Sequence, residues 1–126
     1  ETKDALTPPT GRNWMLLLID ADQNPETGWY GYDYLINETV INDHTTTLKR
    51  FLGGAWKEVA KLDLRYAGNT LELAVPRKLL GLKGNAVTFD FHWCDNPLEL
   101  KDPISLCTDG DSAPNRRFNY RCVWKR

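Results

Sequence analysis

The chain has 126 residues, 41% of them hydrophobic and 26% charged, with a net charge of −1. This length suits one domain with a single hydrophobic core and is too short for two domains within the chain. The balanced composition excludes an intrinsically disordered chain, and the nearly neutral charge lacks the basic field that nucleic-acid binding requires. The longest apolar run, at 14–19, is far too short to cross a bilayer, so we expect neither a nucleic-acid partner nor a membrane partner.

Strand signals dominate from residue 13 onward, separated by short turns. Two glycine-containing turns, at 53–54 and 68–69, join neighbouring strands. Residues 76–80 are predicted to form one helical turn, because proline stands first and Gly81 follows, and 95–114 is predicted to be a loop. Strands are predicted at 13–20, 32–37, 45–51, 55–60, 63–67, 70–75, 86–94 and 117–124. The first is a continuous apolar run, which predicts burial on both faces.

The strand pattern predicts an all-β fold. Leu71, Leu73 and Val75 alternate with other residues, so one face of their strand is buried. Seven or eight short strands with frequent turns indicate an antiparallel β-sandwich, jelly-roll or immunoglobulin-like, with at most one short helical turn. No domain boundary is visible within 1–126. Because the chain starts abruptly, we expect a single module excised from a larger protein.

An acidic loop follows the first predicted strand. Asp20, Asp22 and Asn24 alternate where this strand ends, and calcium prefers several oxygen ligands at close range. A backbone carbonyl near Glu26 would add another ligand, and Asp33, which lies beyond two glycines, would close the site. The sequence therefore predicts a Ca²⁺ site. The alternative is a network of Asx turns, in which the same side chains bind only backbone N–H groups.

Several short segments carry a family likeness: 14–24 (WMLLLIDADQN), 27–29 (TGW), 31–34 (GYDY), 36–37 (IN), 109–111 (DGD), 113–114 (AP) and 117–120 (RFNY). They resemble bacterial sugar-binding-like modules related to the family 9 carbohydrate-binding modules and the DOMON-like sandwiches. The resemblance implies a β-sandwich in which calcium is common, attached to a glycoside hydrolase or another large secreted enzyme. It also implies one or two further strands that would precede the first residue.

Aromatic side chains suggest a sugar-binding surface, because an aromatic face covers the C–H face of a pyranose while polar groups bind its hydroxyls. The alternative for each tryptophan is a place in the core or at a sheet edge, and alternation with Phe91 favours the core for Trp93. The segments that follow two strand ends supply the predicted ligand-binding residues, which are Trp29, Tyr30, Trp93, Asp95, Asn96 and Arg116.

No motif for a nucleophile, a zinc-bound water or a phosphate-binding loop is present, so we expect no enzymatic activity. His92 lies on the strand face opposite the aromatic residues and is predicted to be exposed. Cys94 is predicted to lie on the same outward face as His92, so a Cys94–Cys107 disulfide is favoured, whereas Cys122 is predicted to be a buried free thiol.

Together these patterns predict a calcium-stabilised, non-catalytic carbohydrate-binding accessory module of a secreted polysaccharide-active protein. Its location would be secreted, periplasmic or at the bacterial cell surface, and its partners would be carbohydrate and the neighbouring domains of the parent protein. The alternative is a calcium-stabilised structural domain that packs against a catalytic partner and binds no sugar.

Overall fold

The computed structural model describes residues 1–10, 13–114 and 119–126. These residues are mostly antiparallel β-structure, as predicted, and they also contain a 3₁₀ turn at Arg77–Leu80 and a short helix, α1, at Pro103–Thr108. No helix within the described ranges has both the length and the apolar character needed to span a bilayer. The strands are β1 (Leu16–Asp20), β2 (Tyr34–Asn42), β3 (Thr45–Leu52), β4 (Ala55–Ala67), β5 (Thr70–Ala74), β6 (Ala86–Asp95), β7 (Asp111–Ala113) and β8 (Tyr120–Lys125).

All described strands belong to one curled sheet with the order β5-β4-β3-β2-β1-β6. The outer edge of β6 is shared, because β7 pairs with its last residues and β8 pairs with its first six. Every pairing is antiparallel. The predicted all-β antiparallel class is therefore confirmed, and the two-sheet sandwich stays a prediction.

The strand β4 is longer than predicted. The sequence predicted two strands, at 55–60 and 63–67, but Ala55–Ala67 is continuous. Its first part pairs with β3 and its last part pairs with β5, so one strand serves two successive hairpins. A register shift in the β3–β4 ladder, at Leu48/Lys49, places Leu62 and Leu64 in buried positions.

The prediction of at most one helical turn, with loop throughout 95–114, is wrong because α1 and β7 lie within that segment. The Asp102 carboxylate caps α1 by accepting a hydrogen bond from the Ser105 backbone N–H at 2.8 Å. The Ser105 hydroxyl accepts in return from the Asp102 N–H at 3.4 Å, and Pro103 starts the helix. This reciprocal capping box is a sequence signal that strand periodicity does not detect.

Both faces of the sheet carry a hydrophobic cluster. One face, which we call the trough face, carries the buried residues Leu17, Ile19, Tyr34, Ile36, Leu48, Leu62 and Leu80. The opposite face, which we call the loop face, carries Leu16, Leu18, Tyr32, Leu35, Cys94 and Leu106. Because β1 contributes to both clusters, it is buried on both sides, as its continuous apolar sequence predicted.

Two predictions, that His92 and Cys94 face solvent, are wrong because the loop face is covered. His92 is only 2% exposed, because it pairs with Leu18 on this face rather than facing solvent. Cys94 is also buried, and its thiol donates to the Leu106 carbonyl at 3.2 Å. The Cys94 thiol is free, so the predicted Cys94–Cys107 disulfide is wrong. Cys122 is a free but half-buried thiol, so only the free state predicted for it is confirmed.

Candidate cation and ligand site

The acidic loop folds back onto the end of β1. The Asp33 backbone N–H donates to the Ile19 carbonyl at 2.8 Å, and the Asp33 Oδ2 accepts from the Ala21 N–H at 2.9 Å. Asp33 thereby returns to the end of the strand that carries Asp20. This placement follows the expectation that two glycines between them would let the loop reverse.

Two glycines make the reversal possible. Trp29 and Tyr32 form an isolated two-residue bridge, with N–H···O distances of 2.7 and 3.0 Å. Gly28 has φ = 67°, and a Cβ there would lie 2.1 Å from the Tyr32 carbonyl oxygen. Gly31 has φ = 97°, and its Cβ would approach the Cα of Pro25 to 3.1 Å. Only glycine fits these positions without displacing backbone.

Three carboxylates converge at this loop. Asp20, Asp22 and Asp33 each offer an oxygen, and these oxygens lie within 4.8 Å of one another. Asp20 is 7% exposed, whereas Asp22 is exposed and Asp33 is half-buried. The Asp20 Oδ1 is buried and has no hydrogen-bond partner. Oxygen-only donors around an orphaned carboxylate oxygen fit a hard cation such as Ca²⁺.

The other two predicted calcium ligands are placed differently. The Asn24 Oδ1 accepts a hydrogen bond from the Glu26 N–H at 3.0 Å, and the Asp22 Oδ1 accepts from the Asn24 N–H at the same distance. The Glu26 side chain is exposed and lies outside the carboxylate cluster, and the backbone carbonyl ligand near Glu26 stays a prediction. Asx turns and a carboxylate cluster therefore coexist in one loop.

Burial and mutual repulsion disfavour negative charge in the cluster. Burial, the hydrogen bond with Asp22 and the charge of Asp33 together raise the pKa of Asp20 to about 6. Burial also raises the pKa of Asp33, despite the hydrogen bond from the Ala21 N–H. Without a cation, part of the cluster therefore retains protons at mildly acidic pH.

Aromatic residues extend from the same loop across the β3–β4 hairpin. Trp29 contacts Tyr30 edge-to-face at a centroid distance of 5.1 Å and contacts Trp56 at 6.2 Å. Trp56 in turn contacts Phe51 at 5.1 Å. Tyr30 is 61% exposed, whereas the other three are half-buried. We call these four residues the aromatic row; Phe51 and Trp56, which are cross-strand partners, were not among the predicted ligand residues.

The remaining predicted ligand residues lie elsewhere. Trp93 packs on the trough face, whereas Trp29 packs on the loop face. Asp95 accepts from the Met15 N–H at 3.0 Å, so it lies just before the start of β1, about 17 Å along the strand from Asp20 at 3.3 Å per residue.

Asn96 lies at the same end of β1 as Asp95. Its backbone N–H donates to the Asn13 carbonyl at 3.0 Å. Arg116 lies outside the described residues. The structure therefore brings Trp29 and Tyr30 together but does not bring Trp93, Asp95 and Asn96 to them.

A cleft of about 370 Å³ adjoins the carboxylate cluster. Its wall includes the Tyr32 side chain, whose hydroxyl donates to the Asn119 Oδ1 at 2.6 Å. The cleft is lined by Asp20, Pro25, Tyr30, Gly31, Tyr32, Pro103 and Asn119. Its residues come from the acidic loop, the start of α1 and the segment before β8.

Comparison with models of protein families, with curated proteins and with solved structures found no match to this chain.

Proposed function

We propose that this domain is a calcium-stabilised, non-catalytic carbohydrate-binding accessory module of a larger secreted polysaccharide-active protein of bacteria. The observation that carries the proposal is that one loop holds the carboxylate cluster, the exposed Tyr30 ring and the half-buried Trp29 ring. A relationship to the family 9 carbohydrate-binding modules and DOMON-like sandwiches is part of the proposal.

Calcium would act as a clamp on the loop. The cluster joins Asp20 at the end of β1 to Asp33 at the start of β2, with Asp22 between them, so one ion would tie together three points of the loop. No described lysine or arginine forms an ion pair with any of the three carboxylates. A cation from solution would supply the missing positive charge.

The aromatic row favours sugar binding at the loop end of the sheet. Tyr30 presents an exposed ring, and the half-buried Trp29 ring lies beside it in an edge-to-face contact. Aromatic platforms of this kind bind the apolar face of a sugar ring, and they give modest affinity because they bury little area. Trp93, Asp95 and Asn96 would form a separate patch.

The calcium part is tested by thermal unfolding in EDTA and in calcium. An ion bound only by the folded state at 100 times its dissociation constant adds about 2.7 kcal/mol to the free energy of unfolding. Asp22→Ala should abolish the shift in Tm, whereas Asp63→Ala, which changes an exposed aspartate on β4, should retain it. Identical midpoints for the wild type in EDTA and in calcium would refute the clamp.

The sugar part is tested with a glycan array and affinity gels in calcium. Tyr30→Ala should weaken binding about tenfold, a change of about 1.4 kcal/mol, because the ring contributes stacking and little packing. Trp124→Ala, which removes an exposed aromatic residue from the trough face, is the matched control. A folded, calcium-loaded domain that binds no glycan would eliminate the carbohydrate proposal. Release of reducing sugars by the purified domain would eliminate its non-catalytic part.

The alternative, a structural domain without sugar binding, is favoured by the trough face. There the sheet curls around an open apolar trough of about 430 Å³. Its lining includes Leu71 and Leu73 of β5 at one end and Cys122 and Trp124 of β8 at the other. A further β-layer of the parent polypeptide would cover this face and complete a two-sheet sandwich, since packed sheets bury such surfaces against each other.

Alkylation of the Cys122 thiol tests this alternative. It is a free, half-buried thiol in the trough, so alkylation should be measurable in the isolated domain. If a β-layer of the parent protein covers the trough, Cys122 should be protected in the full-length protein. Equal alkylation rates in both would argue against the covering layer.

A further inference from the structure

The three carboxylates leave part of a calcium coordination shell open. Ca²⁺ takes about six to eight oxygens. One oxygen of Asp33 already accepts from the Ala21 N–H, and Asp22 accepts from the Asn24 N–H and from the Thr27 hydroxyl. The free carboxylate oxygens alone therefore fall short of a full shell.

Asn24 does not fill the gap. Its backbone carbonyl accepts from the Thr27 N–H, and its side-chain oxygen accepts from the Glu26 N–H. The oxygens that an Asp-x-Asn loop would otherwise offer are thus committed to holding the loop itself. Positions on the ion would remain for water or for oxygens of a bound molecule.

Asp20 belongs to both the proposed ion site and the neighbouring cleft. It is a member of the carboxylate cluster and also lines the cleft. Its Oδ1 is buried without a hydrogen-bond partner, in a residue that is 93% buried. A buried, unpartnered carboxylate oxygen is costly unless a cation or a donor satisfies it. The ion would therefore lie next to the cleft as well as under the loop.

The cleft offers groups that suit a sugar. Its lining includes the exposed Tyr30 and Asn119, whose Oδ1 accepts from the Tyr32 hydroxyl. The Asn119 amide N–H groups are then left to donate to hydroxyl oxygens. A volume of about 370 Å³ is within the range of small-molecule pockets.

We propose that the cation held by Asp20, Asp22 and Asp33 binds the sugar directly. Two neighbouring hydroxyls of one sugar ring occupy the open positions on the ion and displace water, while the ring stacks on Tyr30 and a hydroxyl accepts from Asn119. This inference rests on the proposed function and assigns its ligand class, a glycan with a free vicinal diol. Calcium is then part of the binding surface and not only a clamp.

The test counts water molecules on the ion. Tb³⁺ replaces Ca²⁺, and luminescence lifetimes in H₂O and D₂O give the number of bound waters before and after adding methyl glycosides of xylose, glucose, galactose or mannose. The glycoside that binds should lower this number by about two, one for each coordinating hydroxyl. Cyclohexanol, which offers a ring without a diol, should leave it unchanged.

Substitutions distinguish the contribution of the ion to glycoside binding from that of the surrounding side chains. Tyr30→Ala and Asn119→Ala, both at exposed positions, should weaken glycoside binding about tenfold while leaving Tb³⁺ affinity within about twofold. Asp20→Asn should abolish both Tb³⁺ binding and glycoside binding. Conversely, Trp124→Ala should change neither, because Trp124 lies on the trough face.

The outcomes distinguish this inference from the function on which it rests. Glycoside binding with an unchanged water count, or with equal affinity in EDTA, would overturn direct coordination and leave the carbohydrate-binding proposal standing. If the folded domain binds no Tb³⁺, or binds no glycoside and no array glycan, both proposals are wrong.

Discussion

Asp20 and Asp90 lie directly opposite each other in the β1–β6 ladder, yet their surroundings shift their pKa values in opposite directions. Arg121 donates to both carboxylate oxygens of Asp90, at 2.8 and 3.0 Å, and this hydrogen bonding lowers the Asp90 pKa. Burial and two neighbouring carboxylates raise the Asp20 pKa to about 6. The fold supplies a fixed cation for one carboxylate and gathers three carboxylates, without an ion-paired lysine or arginine among the described residues, around the other.

This contrast indicates how the two regions use charge. The Asp90–Arg121 pair joins β6 to β8 with groups that the chain itself provides. In the acidic loop, burial and neighbouring carboxylates disfavour the charged forms of Asp20 and Asp33, so we expect protons or a cation to stabilise it. We therefore expect the acidic loop to respond to pH and to cations, whereas the Asp90–Arg121 pair should respond mainly to ionic strength.

The largest expected effect comes from destroying the loop while preserving the ion pair. Gly28→Ala forces a Cβ to 2.1 Å from the Tyr32 carbonyl at a φ of 67°. We expect a loss of about 2–4 kcal/mol in the free energy of unfolding, because backbone must move. The calcium response should be lost as well.

Gly84→Ala is the matched control for this substitution. Gly84 also has a positive φ, 86°, but no atom lies within 4 Å of a Cβ there. It should lose only about 1 kcal/mol, the usual penalty of the left-handed region for a residue with a side chain. Similar losses in both variants, measured by denaturant unfolding, would show that the close approach at Gly28 is not tight.

Neutralising each of the two opposed aspartates should have opposite effects. In EDTA at pH 8, Asp20→Asn should raise Tm by several degrees, because it removes a buried charge that has no cationic partner. Asp90→Asn should lower Tm, because it leaves Arg121 without its partner. In calcium, Asp20→Asn should lower Tm instead of raising it, whereas Asp90→Asn should still lower Tm. The same sign for both in EDTA would break the comparison.

The third prediction concerns pH. The folded-state pKa of Asp20 is raised from 3.8 to about 6, so the folded state binds this proton more tightly than the unfolded state does. The resulting stability is fully present below pH 3.8 and is lost as pH rises through about 6. In EDTA, the Tm difference between Asp20→Asn and wild type should therefore grow between pH 4 and pH 7. A flat difference over that interval would contradict the raised pKa.

The smallest effect concerns salt. The Arg121 side chain is 60% exposed, so added salt should screen its attraction to Asp90. At 1 M NaCl the Tm difference between Asp90→Asn and wild type should shrink, whereas sub-millimolar calcium should still stabilise the wild type. Tm measured across a salt series checks this. An undiminished difference would show that the pair acts by hydrogen bonding alone.

The strands and the acidic loop follow from local sequence. The apolar residues of β1 and the alternation in β5 predicted strands because side-chain periodicity is a local property. The approach of Asp33 to Asp20 followed from the glycines between them. Capping of α1 by Asp102 and Ser105 was also local, and strand periodicity alone did not detect it.

Which face of each strand is covered was decided only by the tertiary structure. Alternation correctly separated His92 and Cys94 from Trp93, but it assigned the first two to solvent, whereas both are buried on the loop face, where Leu106 of α1 also packs. The same packing placed Trp93 and Trp29 on opposite faces. Periodicity fixes which side chains share a face, but long-range packing of α1 and of the strands around β1 determines what each face contacts.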